Sequence, residues 1–316
     1  MKKTKKKKIS TRKMIEDLKF KPIYMPSDVD TFIEDTNVNR PGLELAGFLD
    51  NFQYGRIQVI GETEHLFFNS LGKDKMGESI DRVLSYDIPL VVVSRKVEAS
   101  QALKDAAKKY SRIIVKSQES TTQTVSKISN YLNFQLAPEL VMHAVLVDVD
   151  GVGILITGES GVGKSETALE LVNRNHRLIA DDAVRIIKLD EDRLLGTATE
   201  TLEHFMEIRG LGIIDVKSLY GIGAVKQYKK VDLVVELELW EDGKYYDRLG
   251  LDQDYIEILG SKVEKLTVPV RPGRNLGIII ELAARNQRQK SMGYNAAVEF
   301  NERIIEKLKR DHEAKE

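Results

Sequence analysis

The sequence predicts an α/β protein with two domains. Within residues 1–134, short apolar runs alternate with amphipathic helical segments, which favours a small N-terminal domain with a mainly parallel sheet. The Gln-Leu-Ala-Pro run at 135–138 breaks the last of these helices, so we place the domain boundary after residue 134. A glycine-rich loop between a strand and a helix marks the second domain, residues 135–316. The length of 316 residues fits one to two domains.

The elements of the N-terminal domain follow from apolar periodicity. We expect helices at 10–20, 62–70, 99–110 and 121–134, and strands at 56–60, 89–93 and 113–115. The domain carries no nucleotide motif and no catalytic cluster, so we predict a regulatory or assembly role. Residues 1–8 include six lysines, which predicts a disordered basic tail. Contact of this tail with nucleic acid or an anionic surface is the alternative.

The composition excludes several classes of function. Lys plus Arg is 48 against Asp plus Glu at 49, so the charge does not indicate a nucleic-acid partner. The absence of cysteine excludes disulfides, thiolate zinc and thiol catalysis, and the five histidines lack the paired spacing of a zinc site. No apolar run approaches membrane-spanning length, and the N-terminus has no signal-peptide core. We therefore expect a cytoplasmic protein that binds neither membrane nor nucleic acid.

The motif at residues 158–165 fits the phosphate-binding pattern G-x-x-x-x-G-K-[ST]. Its members are Gly158, Glu159, Ser160, Gly161, Val162, Gly163, Lys164 and Ser165. Glycines let the backbone N–H groups turn toward phosphate oxygens, Lys164 supplies a mobile positive charge, and Ser165 offers a hydroxyl to Mg²⁺. A predicted strand and helix flank the loop, as the motif requires. The sequence thus predicts a P-loop, and a glycine-rich turn that binds nothing is the alternative.

A hairpin before the loop predicts the position of a histidine. The Asp-Gly pair at 150–151 lies between two apolar runs, which indicates a two-residue turn. Counting back from that turn pairs Val149 with Val152 and places His143 opposite Gly158. We therefore expect His143 beside the phosphate loop, with a purely structural histidine as the alternative.

Two carboxylates follow the next predicted strand. Leu-Ile-Ala at 178–180 ends in Asp181 and Asp182. A right-handed crossover makes this strand parallel to the one before the loop, so the carboxyl ends of both strands open at the same edge of the sheet. One aspartate can then orient a metal while the other accepts a proton. An acidic turn after an edge strand is the alternative.

Residues 206–215 interleave charged and apolar side chains and contain two glycines. The segment consists of Met206, Glu207, Ile208, Arg209, Gly210, Leu211, Gly212, Ile213, Ile214 and Asp215. Glycines at such places permit close approach of the backbone to a ligand. A buried Glu–Arg ion pair at a strand end is the alternative.

A stiff arginine loop lies nearer the C-terminus. It consists of Pro269, Val270, Arg271, Pro272, Gly273 and Arg274, and such a loop suits oxyanion binding because little loop entropy is lost. A solvated basic turn is the alternative. Before it, we expect a strand at 232–240 with a return strand at 244–249 that ends near Arg248, and after it helices at 276–289 and 296–309.

Together these segments resemble the HPr kinase/phosphorylase family. The resemblance rests on residues 40–48, 143–184, 207–215, 246–250 and 269–274, so it covers both domains. It implies transfer of the γ-phosphoryl group of ATP to a seryl residue of the phosphocarrier protein HPr, and reversal by inorganic phosphate to give pyrophosphate. It also implies a role in catabolite repression, a homohexamer, and a C-terminal P-loop kinase domain similar to phosphoenolpyruvate carboxykinase.

The resemblance also implies roles for individual residues. Lys164 would hold phosphate, while Ser165 and Glu207 would bind Mg²⁺. Asp182 would accept the seryl proton in the forward reaction and return it in the reverse one. The resemblance further implies that His143 and Arg248 stabilise the transferring group and that the 269–274 loop serves mainly phosphorolysis.

Three other functions remain open from the residues alone. A nucleotide-gated switch would bind ATP without needing a general base such as Asp182. A small-molecule kinase or carboxykinase would turn over a metabolite without a protein acceptor. A structural hub would depend on the first domain, which the intact loop at 158–165 disfavours.

Overall fold

The computed structural model describes residues 7–191, 193–246 and 253–313. The chain divides into two compact units, one ending at Ala137 and the other beginning at Pro138. Both units combine helices with sheets, so the predicted α/β class is confirmed. The last helix of the first unit continues to Leu136, so the boundary expected after residue 134 falls inside that helix.

The N-terminal unit alternates short strands with helices. In chain order its elements are β1 (Ile9–Ser10), α1 (Thr11–Asp17), β2 (Lys21–Tyr24), β3 (Phe32–Ile33), β4 (Val38–Asn39), α2 (Gly42–Leu45), β5 (Ile57–Ile60), α3 (Glu62–Ser70), α4 (Lys73–Leu84), β6 (Val91–Val93), α5 (Gln101–Tyr110), β7 (Ile114–Lys116) and α6 (Thr121–Leu136). Serine side chains at 100 and 120 cap α5 and α6 by accepting a hydrogen bond from the backbone N–H three residues on.

The main sheet of this unit has the order β2-β7-β6-β5-β4. Strands β4 to β7 are parallel, which confirms the predicted mainly parallel sheet. Strand β2, which was not predicted, joins them antiparallel. One face of the sheet packs against α3, α4 and α5, and the other against α1 and α6. Both faces are therefore covered by apolar packing, and the central strands β5 and β6 are fully buried.

The C-terminal unit is richer in strands. Its elements are β8 (Glu139–His143), β9 (Val145–Val149), β10 (Val152–Gly158), α7 (Lys164–Asn173), β11 (Arg177–Ala180), β12 (Ala183–Asp190), β13 (Arg193–Ala198), β14 (Phe205–Ile208), β15 (Gly212–Asp215), α8 (Val216–Tyr220), a 3₁₀ turn (Ile222–Ala224), β16 (Tyr228–Lys230), β17 (Leu233–Leu239), β18 (Asp254–Ile258), β19 (Ser261–Val270), α9 (Leu276–Ser291) and α10 (Ala296–Glu313).

Its larger sheet has the order β11-β9-β10-β17-β19-β18, and a second sheet has the order β16-β13-β12-β8. Strands β10, β17 and β19 are parallel. Strand β11 points the same way as β10, because both are antiparallel to β9, which lies between them. The carboxyl ends of these four strands therefore share one edge. Helices α7 and α9 cover one face of the larger sheet, and the second sheet covers the other.

Several sequence predictions are confirmed and others are wrong. The turn at 150–151 is confirmed, with Val149 opposite Val152. However, β9 begins at Val145, and His143 instead belongs to β8 in the second sheet, where it pairs with Ala183. The proposed return strand at 244–249 is also wrong for its described part, because residues 244–246 are not in a strand and β17 pairs with β10 and β19.

The predicted disordered tail at residues 1–8 overlaps the described part of the chain at Lys7 and Lys8. Lys7 donates a hydrogen bond to the carbonyl oxygen of Ala137 at 3.0 Å, and Lys8 forms an ion pair with Glu34. The prediction of disorder is therefore wrong for residues 7 and 8, and for residues 1–6 it lies outside the described residues. In the part of the chain that the structure describes, no helix has both the length and the apolarity needed to cross a bilayer.

Candidate functional site

The loop at 158–165 connects β10 to α7 at the carboxyl edge of the larger sheet. Gly158, Gly161 and Gly163 have φ of 137°, 87° and 103°, values that side-chain-bearing residues rarely adopt. A Cβ at Gly158 would lie only 2.3 Å from the carbonyl oxygen of Leu237 on the neighbouring β17. The sequence uses glycine here because both the turn and the close approach of β17 require it.

Lys164 and Ser165 begin α7 directly after the loop. The ammonium group of Lys164 donates hydrogen bonds to the carbonyl oxygens of Gly158 at 2.9 Å and Glu159 at 3.0 Å. Its side chain is buried, with 7 % exposed, so these two carbonyls compensate for the lost hydration of the charge. The first N–H groups of α7 carry the positive end of the helix dipole, which favours an anion at this point.

Asp181 links the loop to a more distant segment. Its carboxylate accepts hydrogen bonds from the hydroxyl of Ser165 at 2.9 Å and from the backbone N–H of Glu207 at 3.2 Å. Asp181 is only 2 % exposed, and this burial raises the pKa of its carboxyl above the ordinary value. Asp181 therefore holds Ser165 and Glu207 in fixed relation to each other.

Asp182 and His143 form a pair on the solvent side of the same strand end. Nδ1 of His143 lies 2.8 Å from Oδ1 of Asp182, and both side chains are about half exposed, at 55 % and 57 %. The pairing of β8 with β12 brings them together, since His143 lies opposite Ala183. Asp182 has φ of 64°, a left-handed conformation that is uncommon for a residue other than glycine and is often found at functional sites.

The hairpin of β14 and β15 closes another side of the site. Met206 points into the core, whereas Glu207 and Arg209 are exposed. The guanidinium of Arg209 lies 3.3 Å from the hydroxyl of Ser160. The alternative of a buried ion pair between Glu207 and Arg209 is therefore wrong.

These elements enclose one polar cavity of about 140 Å³. Its wall includes His143, Val145, Ser160, Gly161, Gly163, Lys164, Ser165, Glu166, Asp182, Glu207 and Arg209. The cavity thus combines backbone N–H groups and a lysine for phosphate, two oxygen donors suited to a hard cation, and a carboxylate beside a histidine. Such a set can bind a phosphorylated ligand and remove a proton from a second one.

The 269–274 loop lies at the same sheet edge but does not line this cavity. Arg274 donates a hydrogen bond to the carbonyl oxygen of Pro269 at 2.8 Å, and its backbone N–H bonds to the carbonyl of Arg271 at 3.2 Å. The loop is therefore a folded turn in which Arg274 is tied back. Arg248 lies outside the described residues.

Two residues gain importance only from the structure. From the sequence, Asp181 and its neighbour could not be told apart; the structure assigns the buried, orienting position to Asp181. Trp240, the single tryptophan of the chain, belongs to none of the sequence motifs above. It lies just past the end of β17, and its position at the carboxyl end of a strand is the signal that could have identified it.

The chain is similar to known proteins over nearly its whole length. The model "HPr Serine kinase N terminus" matches residues 9–132, and "HPr Serine kinase C-terminal domain" matches residues 134–304. The chain is 50 % identical over 305 residues to HPr kinase/phosphorylase of Peptoclostridium acidaminophilum, covering 96 % of this chain and 99 % of that protein. It is 49 % identical over 301 residues to HPr kinase/phosphorylase of Thermoanaerobacter sp. (strain X514), covering 95 % and 99 %.

Among solved structures, the Hpr(Ser) kinase/phosphatase from Coxiella burnetii is 37 % identical, with 51 % of this chain and 98 % of that chain covered and a TM-score of 0.46.

Proposed function

Because this chain belongs to the HPr kinase/phosphorylase family, we propose that it transfers the γ-phosphoryl group of ATP to a seryl residue of HPr and reverses this step by phosphorolysis. The observation that carries the proposal is the shared cavity, in which the Asp182 carboxylate and the 158–165 loop face the same space. A protein-serine kinase needs both a phosphate cradle and a proton acceptor within reach of one hydroxyl.

In the forward reaction, backbone N–H groups of the 158–165 loop and the Lys164 ammonium bind the phosphate oxygens. Asp182 takes the proton of the seryl hydroxyl while the seryl oxygen forms a bond to the γ-phosphorus. The bond between that phosphorus and the bridging oxygen breaks, and ADP leaves. His143 holds the Asp182 carboxylate in place and, with Arg248, stabilises the transferring group.

In the reverse reaction, an oxygen of inorganic phosphate attacks the phosphorus of phosphoserine. The bond to the seryl oxygen breaks, and Asp182 takes the proton of the attacking phosphate and passes it to that oxygen. The products are free serine on HPr and pyrophosphate. One set of groups can serve both reactions because each moves a phosphoryl group between the seryl oxygen and a phosphate oxygen, which belongs to ADP in the first reaction and to inorganic phosphate in the second. The 269–274 loop assists chiefly in this direction.

The oxygen donors fit a magnesium ion. The Ser165 hydroxyl donates a hydrogen bond to Asp181, so its lone pairs remain available to a cation, and the Glu207 carboxylate is exposed in the same cavity. Mg²⁺ is usually held by one or two protein oxygens together with substrate phosphates and water, and it would neutralise charge on those phosphates. Ser165 and Glu207 are therefore the proposed ligands.

The proposal extends to the wider setting of the enzyme. Family membership supports a cytoplasmic enzyme that assembles as a homohexamer and regulates carbon metabolism through catabolite repression. It also supports a C-terminal P-loop domain related to phosphoenolpyruvate carboxykinase. The strand–loop–helix order of β10, the 158–165 loop and α7 agrees with that relation.

The direct test uses the full chain with γ-labelled ATP, Mg²⁺ and HPr, followed by unlabelled phosphate. We expect label first on a seryl residue and then in pyrophosphate. Nucleotide binding without transfer would favour a switch, and transfer to a metabolite but not to HPr would favour a small-molecule kinase. Either result would contradict the proposed function.

A further inference from the structure

The 269–274 loop contacts an aromatic stack outside the cavity. The guanidinium carbon of Arg271 lies 3.1 Å from the ring centroid of Trp240. Tyr246 stacks on the same tryptophan, with ring centroids 4.8 Å apart and planes at 29°. An arginine that rests on an indole in this way gains both cation–π attraction and dispersion.

The stack is itself fixed to the backbone. The indole N–H of Trp240 donates a hydrogen bond to Asp242 at 2.8 Å, and the backbone N–H of Trp240 bonds to the carbonyl of Val270 at 3.1 Å. The backbone N–H of Glu241 bonds to the hydroxyl of Tyr246 at 3.2 Å. Trp240 thus has a defined orientation, and the 269–274 loop starts from a backbone contact with it.

Strand register places this stack at the edge where phosphate would bind. Leu237 of β17 pairs with Gly158 at the start of the phosphate loop and with Val268 of β19. Trp240 lies three residues beyond Leu237, and Arg271 lies three residues beyond Val268. Both residues therefore lie past the same carboxyl edge of the sheet. Adjacent strands are about 4.8 Å apart, so two strand spacings separate β19 from the strand that carries the phosphate loop.

Core packing does not account for the tryptophan. Trp240 is absent from the hydrophobic clusters formed by the described residues, and its ring is only partly buried. Its contacts are instead with a charged side chain, a carboxylate and a tyrosine. The side chain of Arg271 is half exposed, at 49 %, and its guanidinium nitrogen lies 3.8 Å from the Asp242 carboxylate. The indole face of Trp240 is closer to the guanidinium than this carboxylate is.

We propose that Trp240 is a positioning residue that holds Arg271, and with it the 269–274 loop, in the arrangement used for phosphorolysis. The inference rests on the proposed function, because it requires that this loop serve the attack of inorganic phosphate. Trp240 touches neither phosphate nor the seryl hydroxyl. It reduces the number of rotamers open to Arg271, so less side-chain entropy is lost when that arginine meets an incoming anion.

The kinetic test compares Trp240→Leu and Trp240→Phe with the wild-type full chain. Trp240→Leu should raise the KM for inorganic phosphate about three- to tenfold, because that range matches the loss of one partly exposed cation–π contact. The forward kcat should stay within about twofold of the wild-type value. Trp240→Phe keeps an aromatic face and should restore most of the phosphate affinity. Tyr255→Leu removes an exposed aromatic ring from β18 of the same sheet and serves as the control, with both directions unchanged.

A spectroscopic test does not depend on activity. Because Trp240 is the single tryptophan, its fluorescence reports this stack alone. Arg271→Met should shift or intensify the emission, since the charge above the indole is gone, and should reproduce the selective rise in the KM for phosphate. This variant also keeps the inference testable where Trp240→Leu fails to fold.

The outcomes separate the inference from the proposed function. A wild-type chain with neither activity overturns the proposed function, whereas unchanged emission in Arg271→Met overturns the stack as a feature of the protein in solution. Equal losses in both directions for Trp240→Leu, or no loss in either, overturn the positioning role. A selective and matching loss in Trp240→Leu and Arg271→Met, with recovery in Trp240→Phe, supports it.

Discussion

The two units of this chain each carry parallel strands that end at one edge, yet the two edges differ in chemistry. At the edge of the N-terminal unit, Thr121 donates a hydrogen bond to Ser94 at 3.1 Å, and Thr124 donates one to Ser117 at 2.8 Å. Ser94, Ser117 and Thr124 are almost fully buried. The hydroxyls there satisfy one another, so that edge is closed by its own side chains.

The corresponding edge of the C-terminal unit is open and charged. A loop replaces the side-chain hydroxyls and turns backbone N–H groups outward, Lys164 lies beneath it, and Asp182 is half exposed beside it. Parallel strands of both units provide a suitable edge. Of these two described carboxyl edges, the one in the second unit carries the polar groups that face the 140 Å³ cavity. The difference indicates that sheet topology alone does not create a site, and that the residues after each strand decide it.

The comparison predicts that substitutions at the open edge change activity, while those at the closed edge change stability. Apart from substitution of the proposed proton carrier Asp182, the largest effect is expected for Lys164→Met. This substitution removes the charge proposed to bind phosphate and should lower kcat for phosphoryl transfer to HPr by about 10²–10³-fold, in line with several kcal/mol of electrostatic stabilisation. The measurement is initial-rate transfer of label from ATP. Lys217→Met, an exposed lysine on α8, is the control and should behave as wild type.

Gly161→Ala should have the next largest effect. Gly161 has φ of 87°, and a Cβ there would lie 2.5 Å from a guanidinium nitrogen of Arg209. The backbone strain of about 1–2 kcal/mol and the displacement of Arg209 should raise the KM for ATP roughly tenfold. Gly223→Ala is a matched control, because nothing lies within 4 Å of its Cβ position. Equal effects of the two substitutions would contradict the role assigned to the loop conformation.

Arg274→Ala should affect the two directions unequally. Loss of the bond to the Pro269 carbonyl loosens the 269–274 loop and removes a positive charge from the edge where phosphate would bind. We expect phosphorolysis to fall about tenfold and kinase activity to fall less than about threefold, a difference near 1 kcal/mol between the two barriers. Steady-state rates in each direction measure it, and equal losses would refute this division of roles.

Thr124→Val tests the closed edge and should have the smallest effect on activity. It removes a buried hydrogen bond to Ser117, which should destabilise the N-terminal unit by about 1–2 kcal/mol. Urea unfolding followed by circular dichroism should show an earlier transition, while the fluorescence of Trp240 reports an unchanged C-terminal unit. Phosphoryl transfer per folded molecule should remain within about twofold. A large loss of activity without loss of stability would show that the closed edge has a function of its own.

Local sequence patterns predict much of the site. The phosphate loop follows from glycines and a lysine at fixed spacing, and Asp181 and Asp182 follow from the rule that crossovers make strands parallel. His143 was expected beside the loop through the hairpin register, but it reaches the site through the pairing of β8 with β12, which is remote in sequence.

Other features could not be predicted because they depend on contacts between distant segments. The bond from Glu207 to Asp181 joins residues 26 positions apart, and the stack of Arg271 on Trp240 joins neighbouring strand ends whose pairing no short pattern specifies. The α/β class itself was predictable because alternation of strands and helices is a local property. Strand partners, such as β17 between β10 and β19, are set by the whole sheet.

The most direct test of the proposed site is the rate of both reactions in Asp182→Asn, measured with labelled ATP and HPr in one direction and with phosphoseryl HPr and inorganic phosphate in the other. Asparagine keeps the shape of the side chain but cannot take up a proton, so both rates should fall by a similar factor, about 10²–10⁴. Asp190→Asn, at the end of β12, should leave both unchanged. Survival of either direction at the wild-type rate in Asp182→Asn would contradict a single shared proton carrier.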